Sequence, residues 1–337
     1  MLLAACALPS AAPADPPTLN CRYLEVDPPG PSGNRLEVNG TGNVAIGRDG
    51  PLVTVSLTGS TGIRIEERIE CARGVAEVTN LDQIVYRPPE SPGQVLIDER
   101  GGRFEPGATD EIDVGDEIEI SVLLPPRAGE RNPRVNVLGT PGADFIGAGD
   151  LAAGRYGVNL NWGRDTEVKD SDLLIAASSG TRLQLAGGGG GDRLNAAGGK
   201  EFARPVSLPS FSMLGEDGND LLLGGRHSDF LEGDEGDDTI YGRGGADNIY
   251  AGPGRDRALG AGGDDQIRGA RVSEDDFEPD VYVGGSGDDY ISARYGGRDS
   301  VLCGSGFDDV WVDPYDTWRR CDDVQIAKQP RRASASS

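Results

Sequence analysis

The chain has 337 residues, 52 of them Gly and 22 Pro, with 36% hydrophobic and 6% aromatic content, too few large side chains to fill a conventional three-layer globule. Its 56 Asp and Glu against 32 Lys and Arg give a formal net charge of −24, a surface that repels nucleic acid and anionic membranes and attracts cations. Such a composition also suits a disordered chain, but a strict period in the second half argues against disorder, because stacked repeats can bury a narrow core with one aliphatic residue per repeat if something cancels the charge between turns.

The opening residues, MLLAACALPSAAPAD, hold a short apolar run from Leu2 to Leu8 and an Ala12-Pro13-Ala14 cleavage-type site, without a basic region before them. Residues 1–14 are therefore expected to be the remnant of an export signal, and the protein to be secreted, extracellular or at the cell surface. Leu3-Ala4-Ala5-Cys6 is similar to a lipobox, which offers a lipoprotein anchored at Cys6 as the alternative. No apolar run is long enough to span a bilayer. Beyond residue 14 four cysteines remain, and in an exported chain they point to two disulfides. Three connectivities are open, with Cys21 to Cys71 and Cys303 to Cys321 favoured by closeness in sequence.

Residues 15–137 read as short strands divided by Gly, Pro and Asp turns: NVAI at 43, LVTVSL at 52, VAEV at 75, QIVY at 83, QVLI at 94, EIEISV at 117 and VNVL at 135. The spacing suits a solenoid or a separate β-sandwich; the scarcity of aromatics and the lack of a linker favour a continuing β-solenoid. A loop of a new type appears at GTPGADFIG, residues 139–147, followed by an irregular stretch with YGVNLN at 156 and SDLLIAAS at 171. AGGGGGDRLNA at 186 restores the pattern, and residues 200–213, rich in Pro and Phe, read as a spacer.

From Gly215 to Arg268 six nonapeptides follow without a gap: GEDGNDLLL, GGRHSDFLE, GDEGDDTIY, GRGGADNIY, AGPGRDRAL and GAGGDDQIR. An insertion, GARVSEDDFEP, interrupts the frame, which resumes as DVYV, GGSGDDYIS, RYGGRDSVL and CGSGFDDVW. The segment VDPYDTWRRCDDVQI reads as a cap closing a region 138–326, and residues 327–337 as a disordered tail.

This GGxGxDxUx consensus, with U a large aliphatic, resembles the RTX, or hemolysin-type, calcium-binding repeat, for which the motif is a standard signature. The resemblance implies an all-β fold, a right-handed parallel β-roll or β-helix solenoid with two nonapeptides per turn and Ca²⁺ between stacked loops. Glycine at the first, second and fourth positions admits positive φ, and the sixth-position Asp supplies the hard oxygen that Ca²⁺ prefers. The eighth residue would face the core: Leu222, Leu231, Ile240, Ile249, Ala258, Ile267, Ile291, Val301 and Val310.

Loops eighteen residues apart then stack, which puts Asp220, Asp238 and Asp256 in one ladder and Asp229, Asp247 and Asp265 in the other. Asp280 with Asp299, and Asp289 with Asp308, extend them at a spacing of nineteen. These ten aspartates are the expected Ca²⁺ ligands. Asp144 and Asp192 carry the motif without an evident stacking partner. Departures from consensus are Glu216, Asp234, Arg243 and Ala261 at the second position, and His227 at the fourth, where a bulky residue resists the loop conformation. His227 reads as a degraded repeat, not a ligand.

Searched for catalysis, the sequence has no HExxH, no GxSxG and a single His, which excludes the usual zinc protease and serine hydrolase sets. The enzymatic alternative is a β-helical polysaccharide lyase or epimerase using Arg155, Arg164 and Asp165 beside Trp162. The favoured reading is a non-catalytic, structural or adhesive calcium-binding protein that folds on Ca²⁺ binding, a rod whose partner would be a cell-surface glycan or matrix.

Overall fold

The computed structural model describes residues 19–24, 35–40, 43–49, 52–58, 65–67, 83–88, 94–100, 119–124, 133–152, 155–160, 173–176, 181–197, 211–269, 278–294 and 297–327. Among the described residues there is no helix. Twenty-seven strands form two long sheets of 14 and 13 strands, and the chain passes back and forth between them. The strand preceding residue 138, Arg134–Leu138, pairs in parallel with both Gln94–Asp98 and Arg182–Gly189, so one solenoid runs through the N-terminal strands and into the nonapeptides. VAEV at 75 lies outside the described residues.

The core is two columns of side chains, one from each sheet. Ile46, Ile97, Val137, Leu185, Met213, Leu231, Ile249, Ile267, Ile291 and Val310 follow one another in register, and each is fully buried. The facing column runs Ile146, Leu194, Leu222, Ile240, Ala258, Tyr282, Val301. Alternation along each strand, as in the BiBiBie burial of Phe211–Asp217, sends one side chain inward and its neighbours to solvent. Each buried aliphatic contributes about 1.5–3 kcal/mol, so a one-per-repeat core suffices only because the stack is continuous. Ala258, the smallest side chain of its column, lies next to the largest, Tyr282, an exchange of volume that keeps the column filled.

Three departures from a plain solenoid arise from pairing that local sequence does not encode. Arg155–Asn159 runs antiparallel between Phe145–Ala152 and Leu173–Ala176, a reversed strand spliced into the larger sheet. Leu52–Thr58 folds back antiparallel on Asn43–Asp49, and Ile65–Glu67 antiparallel on Leu52–Thr58, at the end of the other sheet, covering the edge that Asn43–Asp49 would otherwise leave open. The stretch expected to be a spacer to residue 213 ends earlier: Phe211–Asp217 is a strand, with Phe211 and Met213 buried, because an aromatic and a Met at alternate positions fill the column between Leu185 and Leu231.

At the C-terminal end Thr317–Arg319 and Asp323–Ile326 add one short strand to each sheet. A disulfide between Cys303 and Cys321, Cα atoms 5.1 Å apart, ties this closing turn to the last nonapeptide. Cys6 and Cys71 lie outside the described residues.

The loops show why glycine recurs. Fourth-position glycines have φ between 120° and 146° at Gly218, Gly236, Gly254, Gly263, Gly287 and Gly306, and a Cβ on Gly236 would collide with the Gly218 carbonyl of the preceding turn. Second positions are left-handed too, but there Glu216, Asp234, Arg243 and Ala261 accept φ of 71°, 66°, 76° and 80°, at a cost of about 1–2 kcal/mol each. The loop with His227 instead gives up the conformation, since neither Gly225 nor His227 has positive φ. Replacing Asp234 by Gly is therefore expected to stabilise the folded, calcium-saturated protein by about 1 kcal/mol, read as a higher melting temperature. An unchanged or lower one would show that the left-handed residue costs nothing there.

Candidate metal centre

Each nonapeptide turns from one sheet to the other just before its short strand, and the sixth-position Asp sits at that corner with its side chain drawn inward. The carboxylates form two columns. In the first, the backbone N–H of Asp144 donates to Oδ1 of Asp192, and the same link repeats from Asp192 to Asp220, to Asp238, to Asp256, to Asp280, to Asp299 and to Asp316, at 2.7–3.0 Å. In the second it runs from Asp229 through Asp247, Asp265 and Asp289 to Asp308, at 2.8–3.0 Å. The N–H of Asp308 then donates to Oδ2 of Asp322 at 3.2 Å. All ten aspartates singled out in sequence occupy these columns, and none is more than 6% exposed.

The second carboxylate oxygen divides the set. In Asp192, Asp220, Asp238, Asp247, Asp265, Asp289 and Asp308, Oδ2 is buried and has no hydrogen-bond partner. An anionic oxygen in that state costs several kcal/mol unless a cation meets it. Elsewhere the chain itself supplies the donor: Thr140 Oγ1 to Asp144 at 2.9 Å, Gly225 N–H to Asp229 at 2.6 Å, Tyr282 hydroxyl to Asp280 at 2.6 Å, and Asp313 N–H to Asp316 at 2.6 Å. Asp144 and Asp316 stand at the two ends of the first column and Asp229 at the start of the second, so protein donors close the columns there.

Beside six of the seven unpartnered oxygens sits a first-position glycine, and at five of these a carbonyl of the next turn approaches as well. A Cβ on Gly187 would fall 2.8 Å from the carbonyl of Gly215 and against Oδ2 of Asp192; one on Gly242, 3.0 Å from the carbonyl of Gly260 and against Oδ2 of Asp247; one on Gly284, 2.6 Å from the carbonyl of Cys303 and against Oδ2 of Asp289. First-position glycine therefore leaves a gap bounded by its own loop's Asp and the next turn's carbonyl. No group of three or more His, Cys, Asp or Glu side chains converges among the described residues, so an ion here completes its shell with backbone carbonyls. That donor set of carboxylate and carbonyl oxygens fits Ca²⁺, which takes six to eight hard oxygens, and suits neither zinc nor copper.

Electrostatics agree. Burial, and then neighbouring carboxylates, pushes Asp247 up to about 8, and burial with neighbouring carboxylates pushes Asp192, Asp238 and Asp265 up to about 7 and Asp220 and Asp289 up to about 6; burial alone takes Asp229 to about 6. These values exceed the ordinary 3.8, so without metal the folded state binds more protons than the unfolded one. The stability these aspartates contribute is then fully present below about pH 4 and is lost as pH rises through 6–8. In excess chelator the chain is accordingly expected to show more β-structure by circular dichroism at pH 5 than at pH 8; equal spectra would contradict it.

The family model for the RTX calcium-binding nonapeptide repeat matches residues 214–249 and 241–271, with four copies. Residues 214–271 are RTX calcium-binding repeats. No curated protein and no solved structure matched the chain. Beyond the matched segment the RTX geometry persists: the loops of Asp289 and Asp308 have the same positive φ at Gly285, Gly287, Gly304 and Gly306 and the same inward Asp.

Some participants were not legible beforehand. Asp144 and Asp192 do have stacking partners, in the first aspartate column, although they lie 48 and 28 residues from the next member. Asp316 and Asp322 belong to the closing turn, which lacks the glycines of a nonapeptide, and Tyr282 stands where an aliphatic is expected. Of the alternative catalytic set, Arg155 is exposed on the spliced hairpin, and Trp162, Arg164 and Asp165 lie outside the described residues.

Proposed function

We propose that the chain is a secreted or surface-displayed structural protein, without catalytic activity, whose solenoid folds as several Ca²⁺ ions enter the two aspartate columns. The observation that carries this reading is the set of buried, unpartnered Oδ2 atoms on Asp192, Asp220, Asp238, Asp247, Asp265, Asp289 and Asp308, together with the first-position glycines beside the first six of them; at Asp308 that position is Cys303. When bound, Ca²⁺ supplies the positive charge that lets carboxylates stack one turn apart.

The chain's own residues hold the geometry. Each Oδ1 is fixed by the N–H of the preceding turn, which aims Oδ2 into the gap; first-position carbonyls bound the other side; and the aliphatic columns set the turn spacing. Asp256 and Asp299 occupy the same places in the first column. Asp229 and Asp280, whose second oxygens are met by Gly225 and Tyr282, serve in this reading as a terminus and an internal break of the ion run. The export signal at residues 1–14 and the alternative anchor at Cys6, both outside the described residues, belong to the same proposal, as does a rod that displays its faces to a glycan or matrix partner. The test is a calcium titration followed by circular dichroism with chelator reversal: cooperative gain and loss of β-signal supports the reading, and a spectrum indifferent to calcium rejects it.

A further inference from the structure

The solvent face of the smaller sheet carries a cleft of about 340 Å³, within the size range of small-ligand sites. It is built by outward residues of four successive strands: Arg134 and Asn136 on Arg134–Leu138, Arg182 and Gln184 on Arg182–Gly189, Ser212 on Phe211–Asp217 and Phe230 on Asp229–Glu235. It lies on the opposite side of the sheet from the core and apart from the aspartate columns.

Two observations set it apart from an ordinary polar surface. Arg134 and Arg182 stand directly opposite one another in register, and both are exposed. Like charges in that position destabilise a sheet, and in a chain of net charge −24 acidic partners are plentiful, yet among the described residues neither arginine has an ion pair. Second, Oδ1 of Asn136, one residue further along the same strand face, is buried and has no hydrogen-bond partner. Paired guanidiniums, an unsatisfied amide, a second amide and a hydroxyl beside an aromatic ring make a set with a definite complement: an anion for the arginines, hydroxyls for the amides and a flat apolar ring face for Phe230. Glu232, the acid of the lining, sits at the far end, which orients a ligand with its charge at the Arg134 and Arg182 end.

We infer that this cleft binds an acidic oligosaccharide, a uronic-acid sugar seating its carboxylate on Arg134 and Arg182, its hydroxyls on Asn136, Gln184 and Ser212, and a neighbouring sugar ring on Phe230. This deepens the reading of the protein as a surface that meets a glycan and rests on it for the partner class alone. Neither arginine touches the aspartate columns, so the two readings fail separately.

The calcium-loaded protein, its fold checked by circular dichroism, is titrated calorimetrically with a galacturonic acid tetrasaccharide, with maltotetraose and with inorganic phosphate. Expected are binding of the acidic tetrasaccharide, no heat from maltotetraose, phosphate at least about tenfold weaker, and at least about a tenfold loss for R134Q/R182Q. Phe230→Ala should weaken binding less. The double variant should also melt no lower than the parent, since relief of the arginine repulsion offsets any lost packing. Undiminished affinity in R134Q/R182Q, equal binding of maltotetraose or of phosphate, no binding by folded protein, or a marked drop in melting temperature in the double variant would each overturn the inference. A chain that folds fully without calcium would overturn the calcium reading and leave this titration unaffected.

Discussion

Excess chelator at pH 8 is expected to strip most of the β-sheet signal from the folded protein, and added calcium to restore it cooperatively. Without metal the fold must bury seven carboxylates whose outer oxygens meet no donor, and at pH 8 most of those with raised values are ionised. Extracellular modules typically bind Ca²⁺ at roughly 10⁻⁴ to 10⁻³ M. A site at a hundredfold excess over its dissociation constant contributes about 2.7 kcal/mol, so a handful of such sites matches the whole stability of an ordinary domain, about 5–15 kcal/mol. Because each turn contacts only its neighbours, loss of ions at several levels cannot be made good elsewhere in the stack. A spectrum and melting temperature unchanged by chelator would mean that the columns are stable bare.

Changes at Asp247 should have the next largest effect. It lies mid-column, its Oδ1 accepts the N–H of Asp229 at 2.8 Å, its Oδ2 is unpartnered, and its own N–H reaches Asp265. Asp247→Ala removes both oxygens, leaving a buried N–H unmet at a cost of about 1–3 kcal/mol and deleting a ligand. The calcium midpoint for folding should rise several-fold. Asp247→Asn separates the two roles, since the amide oxygen can still accept from Asp229 while the charge is gone. That variant should be more structured than the parent in chelator at pH 8, where burial disfavours the parent's carboxylate, yet respond less to calcium. Asp217→Ala, at an exposed third position, is the control and should shift neither midpoint. Equal midpoints for Asp247→Ala and Asp217→Ala would remove Asp247 from the metal site.

What could be read in advance divides along physical lines. The nonapeptides encode their structure locally: glycines at fixed offsets permit left-handed loops, one aliphatic per nine residues makes the core, and the eighteen-residue step puts Asp220 over Asp238 and Asp229 over Asp247. All nine core residues named from that pattern are buried. Pairing between distant segments is not local. The strands at Gln83–Tyr86, Gln94–Asp98 and Arg134–Leu138 were recognisable by composition, but their parallel stacking depends on connections of unequal length, and the reversed strand Arg155–Asn159 carries no signal of its direction. Tyr282 follows from a compensation seen only in space, a large side chain filling what Ala258 leaves and reaching Asp280 with its hydroxyl.

The most direct measurement is anomalous diffraction from crystals grown in calcium, with data collected where calcium scatters anomalously. Peaks are expected in the glycine gaps beside Oδ2 of Asp192, Asp220, Asp238, Asp247, Asp265 and Asp289, and beside Oδ2 of Asp308, where Cys303 takes the glycine's place, and none beside Asp144 or Asp316, whose second oxygens the chain already satisfies. Gaps without peaks in a calcium-saturated crystal, or ions held only by exposed surface carboxylates, would contradict it.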